Sequence, residues 1–298
     1  MAYQASIIQI DTGTVLAECG PMRLTIQAHR GNKPLIDLAT RSGYEALDYL
    51  DRIAGVRQGL SRPHPEISAG FSDRLPGRML NSVRLVGDAD LTPMAAVAGT
   101  IADAVAEWVF ERGATRVVVE NGGDVSVRLA KDETVDVGIR PSVTSPAIFY
   151  HIELDSERST WGVATSGMGG RSFTRGIASA VTVISESASL ADAAATAIAN
   201  ACFVEDDNIV QIPAENIDPN TDLKGVNVTV GMGILPAEKM ILAAETALSK
   251  ANALLRQGLI IGTFIALDNI HMKTESFPFK PGFLQSSKNP KNQKEVLR

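Results

Sequence analysis

The sequence predicts an α+β fold of largely antiparallel sheets with long helices packed on one face. Three observations predict it. Apolar strand-like runs come in pairs joined by short polar turns, long stretches of helical periodicity separate them, and no linker-like segment interrupts residues 1–270.

The elements follow in order. Ser6–Ile10 and Thr14–Glu18 flank Asp11-Thr12-Gly13, a hairpin turn, and Met22–Ala28 reads as a third strand. Between Pro34 and Ala54, apolar residues recur at Leu35, Leu38, Ala39, Leu47, Leu50 and Ile53, the spacing of an amphipathic helix. Residues 56–78, with Pro63, Pro65 and Pro76 among glycines, read as loop. Thr92-Pro93 opens a helix running to about Arg112, with Thr92 as cap and proline at the first helical position. After Gly113, Ala114–Glu120, Val125–Ala130, Thr134–Arg140, Ala147–Leu154, Thr160–Thr165 and Ser179–Ser185 read as strands. An alanine-rich helix from about Leu190 to Cys202, a strand at Val226–Gly231, a helix over Pro236–Gln257 and a buried strand at Leu259–Leu267 complete the series. Residues 271–298 read as a basic, flexible tail on a single domain spanning 1–270.

Composition narrows the function classes. Of 298 residues, 45% are hydrophobic and 21% charged, as in globular domains, and 298 residues suit one large domain. The net charge of −6 argues against a nucleic-acid binder that neutralises phosphates. No uninterrupted apolar run suits a membrane span, no basic segment with a long apolar core opens the chain, and only two cysteines, Cys19 and Cys202, occur. A reducing, cytoplasmic setting is the expectation.

Three stretches could carry chemistry. Asn121-Gly122-Gly123-Asp124 follows an apolar strand: its glycines can present bare backbone N–H groups, or it is simply a tight hairpin turn. Asp192 and Thr196, four apart on the alanine-rich helix, share one face, and a carboxylate beside a hydroxyl suits Mg²⁺. An aspartate favouring its own helix dipole accounts for Asp192 equally well. Thr165-Ser166-Gly167-Met168-Gly169-Gly170-Arg171 could wrap phosphates, with Arg171 or Arg175 adding charge, or form a surface loop. The four histidines are scattered, no nucleophile elbow occurs, and no catalytic residue is singled out.

In combination these motifs resemble the ApbE superfamily. The resemblance rests on Gly99…Asp103 in a helix, the GGD turn within VVVENGGDV, the ATSG loop at Ala164–Gly167, and VTVISESASLADAAAT, in that order over about residues 93–202. The nearest likeness is to a shorter ApbE-like branch, which continues into a segment read here as IDPNTDLKGVNVTV, Ile217–Val230. The resemblance implies a T-fold-type duplication in two pseudo-repeated halves and FAD:protein FMN transfer, with FAD and Mg²⁺ as cofactors and a protein target. FAD hydrolysis is the companion activity. It implies Asp192 and Thr196 as metal ligands. Asp103, Asn121, Gly122, Gly123, Asp124, Thr165, Ser166, Gly167 and Arg171 would be nucleotide-binding. A second expectation is a non-transferase accessory protein that binds a small metabolite, in sulfur assimilation or homocysteine formation; a homo-oligomer is compatible with either. The sequence departs from the full transferases in three ways. Only Met168–Ala178 stands where they carry a longer segment with a histidine, Ala98 replaces the lysine before the helix glycine, and no lipobox occurs.

Overall fold

The computed structural model describes residues 3–142 and 150–278, with the backbone of 280–281 and 295–296. Strands β1 (Ser6–Gln9), β2 (Thr14–Cys19), β3 (Met22–Arg30) and β4 (Lys33–Pro34) precede helices α1 (Ile36–Gly55), α2 (Arg57–Leu60), α3 (Arg74–Val86) and α4 (Val97–Phe110). Then come β5 (Arg116–Asn121), β6 (Asp124–Leu129), β7 (Thr134–Ile139), β8 (Tyr150–Asp155), β9 (Thr160–Ser166) and β10 (Ala180–Ser185). Helix α5 (Ala188–Ala201), β11 (Ile209–Pro213), β12 (Asn227–Met232), α6 (Ala237–Arg256), β13 (Gly262–Leu267) and β14 (Ile270–Lys273) follow. Two short strands, β15 (Lys280–Pro281) and β16 (Glu295–Val296), come last.

A 10-stranded sheet runs β1-β2-β3-β5-β6-β9-β10-β13-β14, with β4 beside β3, and all its pairings are antiparallel. Alternation along each strand gives it two apolar faces. Val117, Val119, Val181, Val183 and Ile265 face the helices, whereas Val118, Val125, Val127, Ala180 and Phe264 face a second, smaller core. That core is closed by the β7–β8 hairpin through Val135, Val137, Ile139, Ile152 and Leu154. The α+β class, the antiparallel pairing and the helices on one face agree with the sequence. The hairpin layer on the other face is an addition.

Several boundaries differ from expectation. The stretch 56–78 is not all loop: α2 lies within it and α3 begins at Arg74, where the Asp73 carboxylate accepts the Leu75 N–H as an N-cap. Pro76 sits in the first turn of α3, where its missing N–H costs nothing. Thr92 does not cap α4; its hydroxyl donates to Asp222 instead, and a short helical turn at Pro93–Ala96 precedes α4. Strand β11 was unexpected and pairs with β12. Within the segment expected as a tail from residue 271, β14 pairs with β13 through Lys273 and Phe277 is buried. Further on, β15 pairs with β8 and β16 runs parallel to β7; residues 282–294 lie outside the described residues, as do Ala147–Phe149 of the expected strand Ala147–Leu154.

Helix α5 sits at the centre of the helical layer, and its backbone touches three glycines. A Cβ on Gly99 would lie 2.2 Å from the Ala188 carbonyl oxygen, one on Gly162 would lie 2.0 Å from the Ser187 carbonyl carbon, and one on Gly176 would lie 1.8 Å from the Ala199 carbonyl oxygen. Eight of its fourteen residues are alanines, so close approach of backbones replaces large side chains as the packing device. Pro93–Phe110, with a mean hydropathy of 1.2, is apolar enough to cross a bilayer by composition, but it is 61% buried here as the core helix α4.

Gly162→Ala should therefore destabilise the fold by about 3 kcal/mol or more, since backbone must move. Gly55→Ala, at the end of α1 with nothing within 4 Å of the new Cβ, should gain about 0.5–1 kcal/mol. Urea denaturation of the two variants checks the contrast.

Candidate functional site

The polar centre of the molecule lies where the N-termini of α4 and α5 meet the β5–β6 turn. Each helix sends an aspartate to the other's free N–H groups. Asp103 of α4 accepts from the Ala188 and Ser189 N–H groups, both at 3.0 Å, at the start of α5. Asp192 of α5 accepts from Gly99 N–H at 3.1 Å and from Ala98 N–H, at the start of α4. Helix N-terminal amides have no partner inside their own helix, so each carboxylate satisfies two of them and meets the positive end of the dipole.

Asp103 is fully buried and its bonds are all internal. It also accepts from the Ser126 hydroxyl at 2.7 Å and lies 3.6 Å from Arg128, which reaches Glu107 at 3.4 Å. Burial raises the Glu107 carboxyl, but its bonds to Arg78 and the neighbouring arginines outweigh that and hold it low. The resemblance implies Asp103 as nucleotide-binding; the structure places it in the interior, against the start of α5.

Asn121 and Asp124 are the last paired residues of β5 and β6, so Gly122-Gly123 is a two-residue hairpin turn with φ of +68° and +113°. Positive φ at both positions matches the twist of the flanking strands and demands residues such as glycine. Asn121 is buried and donates to the Ala98 carbonyl at 3.2 Å, tying the turn to α4. Asp124 accepts the Thr165 backbone N–H. The Thr165 hydroxyl is bound elsewhere, to Thr182 at 2.9 Å, so Thr165 serves the site with its amide and not its side chain. Ser166, half-buried, ends β9, and Gly167 closes the neck of the following loop, where a Cβ would lie 2.8 Å from the Ala178 carbonyl oxygen.

Asp124 and Asp192 act on each other. Burial raises the Asp124 carboxyl well above its ordinary range, and the Asp192 and Glu120 charges push the same way. Burial likewise lifts Asp192 to about 7, against the opposing pull of the Gly99 and Ala98 amides. Neither carboxylate has an ion-pair partner among the described residues. Nine of the fourteen α5 residues are buried, and Asp192, Thr196 and Asn200 are among the partly open ones. They are spaced by four and form one polar stripe. Asn200 was not singled out in the sequence, although the same spacing pointed to it. Its Oδ1 accepts from Arg175 N–H at 3.0 Å and the Thr174 hydroxyl at 3.2 Å, anchoring the glycine-rich loop. The Asp192 carboxylate thus caps the neighbouring helix, not its own.

The candidate ligands are all oxygens: the Asp124 and Asp192 carboxylates and the Thr196 hydroxyl, one turn along α5 from Asp192. Among the described residues no three His, Cys, Asp or Glu side chains converge as in a zinc centre. Such a set fits Mg²⁺, which takes few protein ligands and completes its shell with water and phosphate. Arg171 lies over the turn, with Nη1 2.9 Å from where a Gly122 Cβ would stand. Arg175 is engaged in an ion pair with Asp90, and its carbonyl accepts from Gln211 and Thr229. Cys202 is buried with its thiol pushed up to about 12, which leaves it inert.

The fold is ApbE-like, with Asp124 and Asp192 close together where two helix N-termini meet the β5–β6 turn. The chain belongs to the family described as AbpE bacteria, whose sequence model matches residues 8–276. A UPF0280 protein of Methanococcus maripaludis strain C7 is 39% identical over 150 residues, covering 48% of this chain and 59% of that protein. Another, from strain C6, is 34% identical over 165 residues, covering 53% and 66%. The matched segment thus spans less than two thirds of these relatives. Among solved structures, the apo flavinyl transferase ApbE of Pseudomonas stutzeri superposes with a TM-score of 0.52 at 14% identity, covering 93% of this chain and 97% of that one. At that identity the likeness is one of fold.

Two outcomes test the site. Asp103→Ala should cost about 3–5 kcal/mol, because Arg128 and two helix amides lose a buried partner. For Asp192, the folded-state pKa of about 7 stands above its ordinary 3.8. The stability it contributes is full below the unfolded value and falls away as pH rises to about 7. Asp192→Asn should accordingly stabilise the metal-free protein by about 1–3 kcal/mol at pH 8 and by less at pH 5, read from thermal melts at both pH values.

Proposed function

We propose that this chain binds FAD with Mg²⁺ and cleaves its diphosphate, passing FMN to a hydroxyl of a protein target or to water. One observation carries the reading: Asp124, its carboxyl pushed up by burial and by the Asp192 charge, and Asp192, pushed up by burial, have no ion-pair partner among the described residues. Two such carboxylates are stable together when a divalent cation sits between them and an anionic ligand.

Asp192 and Thr196 would hold the metal, which when bound neutralises charge on the phosphate oxygens. The chain's own residues do the rest. The Gly99 and Thr165 amides orient the two carboxylates. Gly122-Gly123, lacking side chains, lets a nucleotide approach the turn closely, and Ser166-Gly167 lines its far side. In the transfer, the acceptor hydroxyl oxygen bonds to the flavin-side phosphorus, the P–O bond to the other phosphate breaks, and AMP leaves; with water as acceptor, free FMN is the product.

A second reading is supported by a cavity of about 710 Å³ further along α5, lined by Asp88, Asp90, Arg175, Asn200, Phe203 and Gln211. It would take a small polar metabolite in a protein with no transfer activity. A sulfur-handling version could not use Cys202, and would fall to half-buried Cys19.

Incubation with FAD, with and without Mg²⁺, separates the readings when AMP and FMN are followed by chromatography. Mg²⁺-dependent AMP release is expected, lost with chelator. Asp192→Asn should reduce it by at least the roughly 10–100-fold that losing an outer-shell metal partner costs. FAD recovered intact under saturating Mg²⁺ favours the metabolite reading.

A further inference from the structure

The cavity of about 710 Å³ lies where residues 87–90, Arg175, the end of α5 and β11 come together. On α5 it is marked by Asn200, eight residues beyond Asp192, which is about 12 Å along the helix. The charged groups of its wall already have partners. Asp90 is paired with Arg175, and Asp88 with Lys250 of α6. An ionic ligand would have to break one of these pairs to find a counter-charge.

The carboxamides of the wall are in the opposite state. Arg175 holds two of them through its own main chain. Its N–H donates to Asn200 Oδ1 at 3.0 Å, and the Thr174 hydroxyl donates to the same oxygen at 3.2 Å. Its carbonyl accepts from Gln211 Nε2 at 2.9 Å, and that nitrogen also donates to the Thr229 hydroxyl at 3.1 Å. A backbone N–H can only donate and a carbonyl can only accept, so these partners settle which way each side-chain amide is turned. The remaining halves are complementary. Asn200 keeps its NH₂ donor and Gln211 its carbonyl acceptor, neither with a partner among the described residues. Phe203 adds an aromatic side chain to the same wall.

We propose that this cavity is a binding site for a neutral amide on a ring, either a lactam or an aromatic carboxamide. The ligand carbonyl accepts from Asn200 Nδ2, and the ligand N–H donates to Gln211 Oε1. Both ligand types carry a C=O and an N–H on one edge, and a ligand lacking either leaves a polar group of the wall unpaired. The volume is in the range of small-molecule sites. The inference deepens the metabolite reading, whose cavity it uses, by naming the ligand class; it needs neither metal nor flavin and makes the cavity distinct from the Asp124–Asp192 centre.

Ligand-observed NMR titration of the full chain tests it with nicotinamide, uracil, nicotinate and N,N-dimethylnicotinamide. Nicotinamide and uracil should bind. Nicotinate replaces the amide by a carboxylate, and the dimethyl compound keeps the carbonyl without an N–H; each should bind at least about tenfold more weakly, the cost of one lost hydrogen bond. Asn200→Asp keeps the oxygen that anchors Thr174 and Arg175 but turns the free donor into an acceptor, and should weaken nicotinamide and uracil by about tenfold. Ala89→Trp, on the exposed rim, leaves every anchor in place and should block both by filling the cavity. Equal affinity for nicotinamide and nicotinate overturns the proposal, as does wild-type affinity in either variant, or a wild-type chain that binds neither nicotinamide nor uracil. AMP release from FAD is followed in the same samples. Its absence from the wild-type chain removes the transfer reading and leaves the amide site to stand on the binding series. Its loss in Ala89→Trp makes the cavity part of the flavin site and overturns a distinct amide site.

Discussion

The exchange of Asp103 and Asp192 between α4 and α5 is the interaction on which the rest depends. Each carboxylate satisfies N–H groups that the other helix cannot satisfy for itself. The exchange fixes the two N-termini side by side, and Gly99 and Gly162 allow the backbones to close to contact. A larger residue at either glycine would separate the helix from its partner and stretch these bonds beyond useful length. The alanines of α5 follow from the same constraint, because a helix touched by backbone around its circumference has little room for larger side chains. Asp103 can be buried whole only because Ser126, Arg128 and two amides surround it.

The two aspartates are chemically alike and environmentally opposed. Asp103 is enclosed with an arginine beside it. Asp192 faces the cleft, has Asp124 for a neighbour and carries a carboxyl raised to about 7. The fold therefore keeps one carboxylate for architecture and leaves the other partly uncompensated. Uncompensated charge beside an opening is what a binding site requires and what stability alone would remove.

Local patterns in the sequence were a good guide wherever local physics decides the outcome. The N-G turn between β5 and β6, the alternating strands and the alanine helix all depend on residues near one another in the chain. The misses have identifiable causes. Around residue 74 proline and glycine were taken as breakers, although Asp73 followed by Pro76 is equally a helix start. Strand β11 ends in proline, and β14 is only four residues long, so both carry weak signals. The burial of Asp103 is not legible in its motif, which gives no sign that Ala188, 85 residues away, would enclose it. The settling of Arg171 over Gly122 is likewise a contact between distant segments, whereas the Asp192–Thr196 face could be read from spacing alone.

Charge links the scales. The chain is acidic overall, at −6, and the cleft is lined by Asp124 and Asp192 with Glu120 nearby. A diphosphate arriving alone would meet like charge on the turn and favourable charge only at Arg171 of the glycine-rich loop. A cation arriving alone would meet carboxyls whose burial favours the protonated form, and would have to displace the proton. Each ligand removes the obstacle to the other: the metal screens the carboxylates from the phosphates, and the phosphates complete the metal's oxygen shell. On the proposed reading, nucleotide and Mg²⁺ binding are therefore coupled, and by linkage each raises the affinity for the other by the same factor. The acidity that would seem to disfavour a nucleotide is then what makes its binding conditional on the metal.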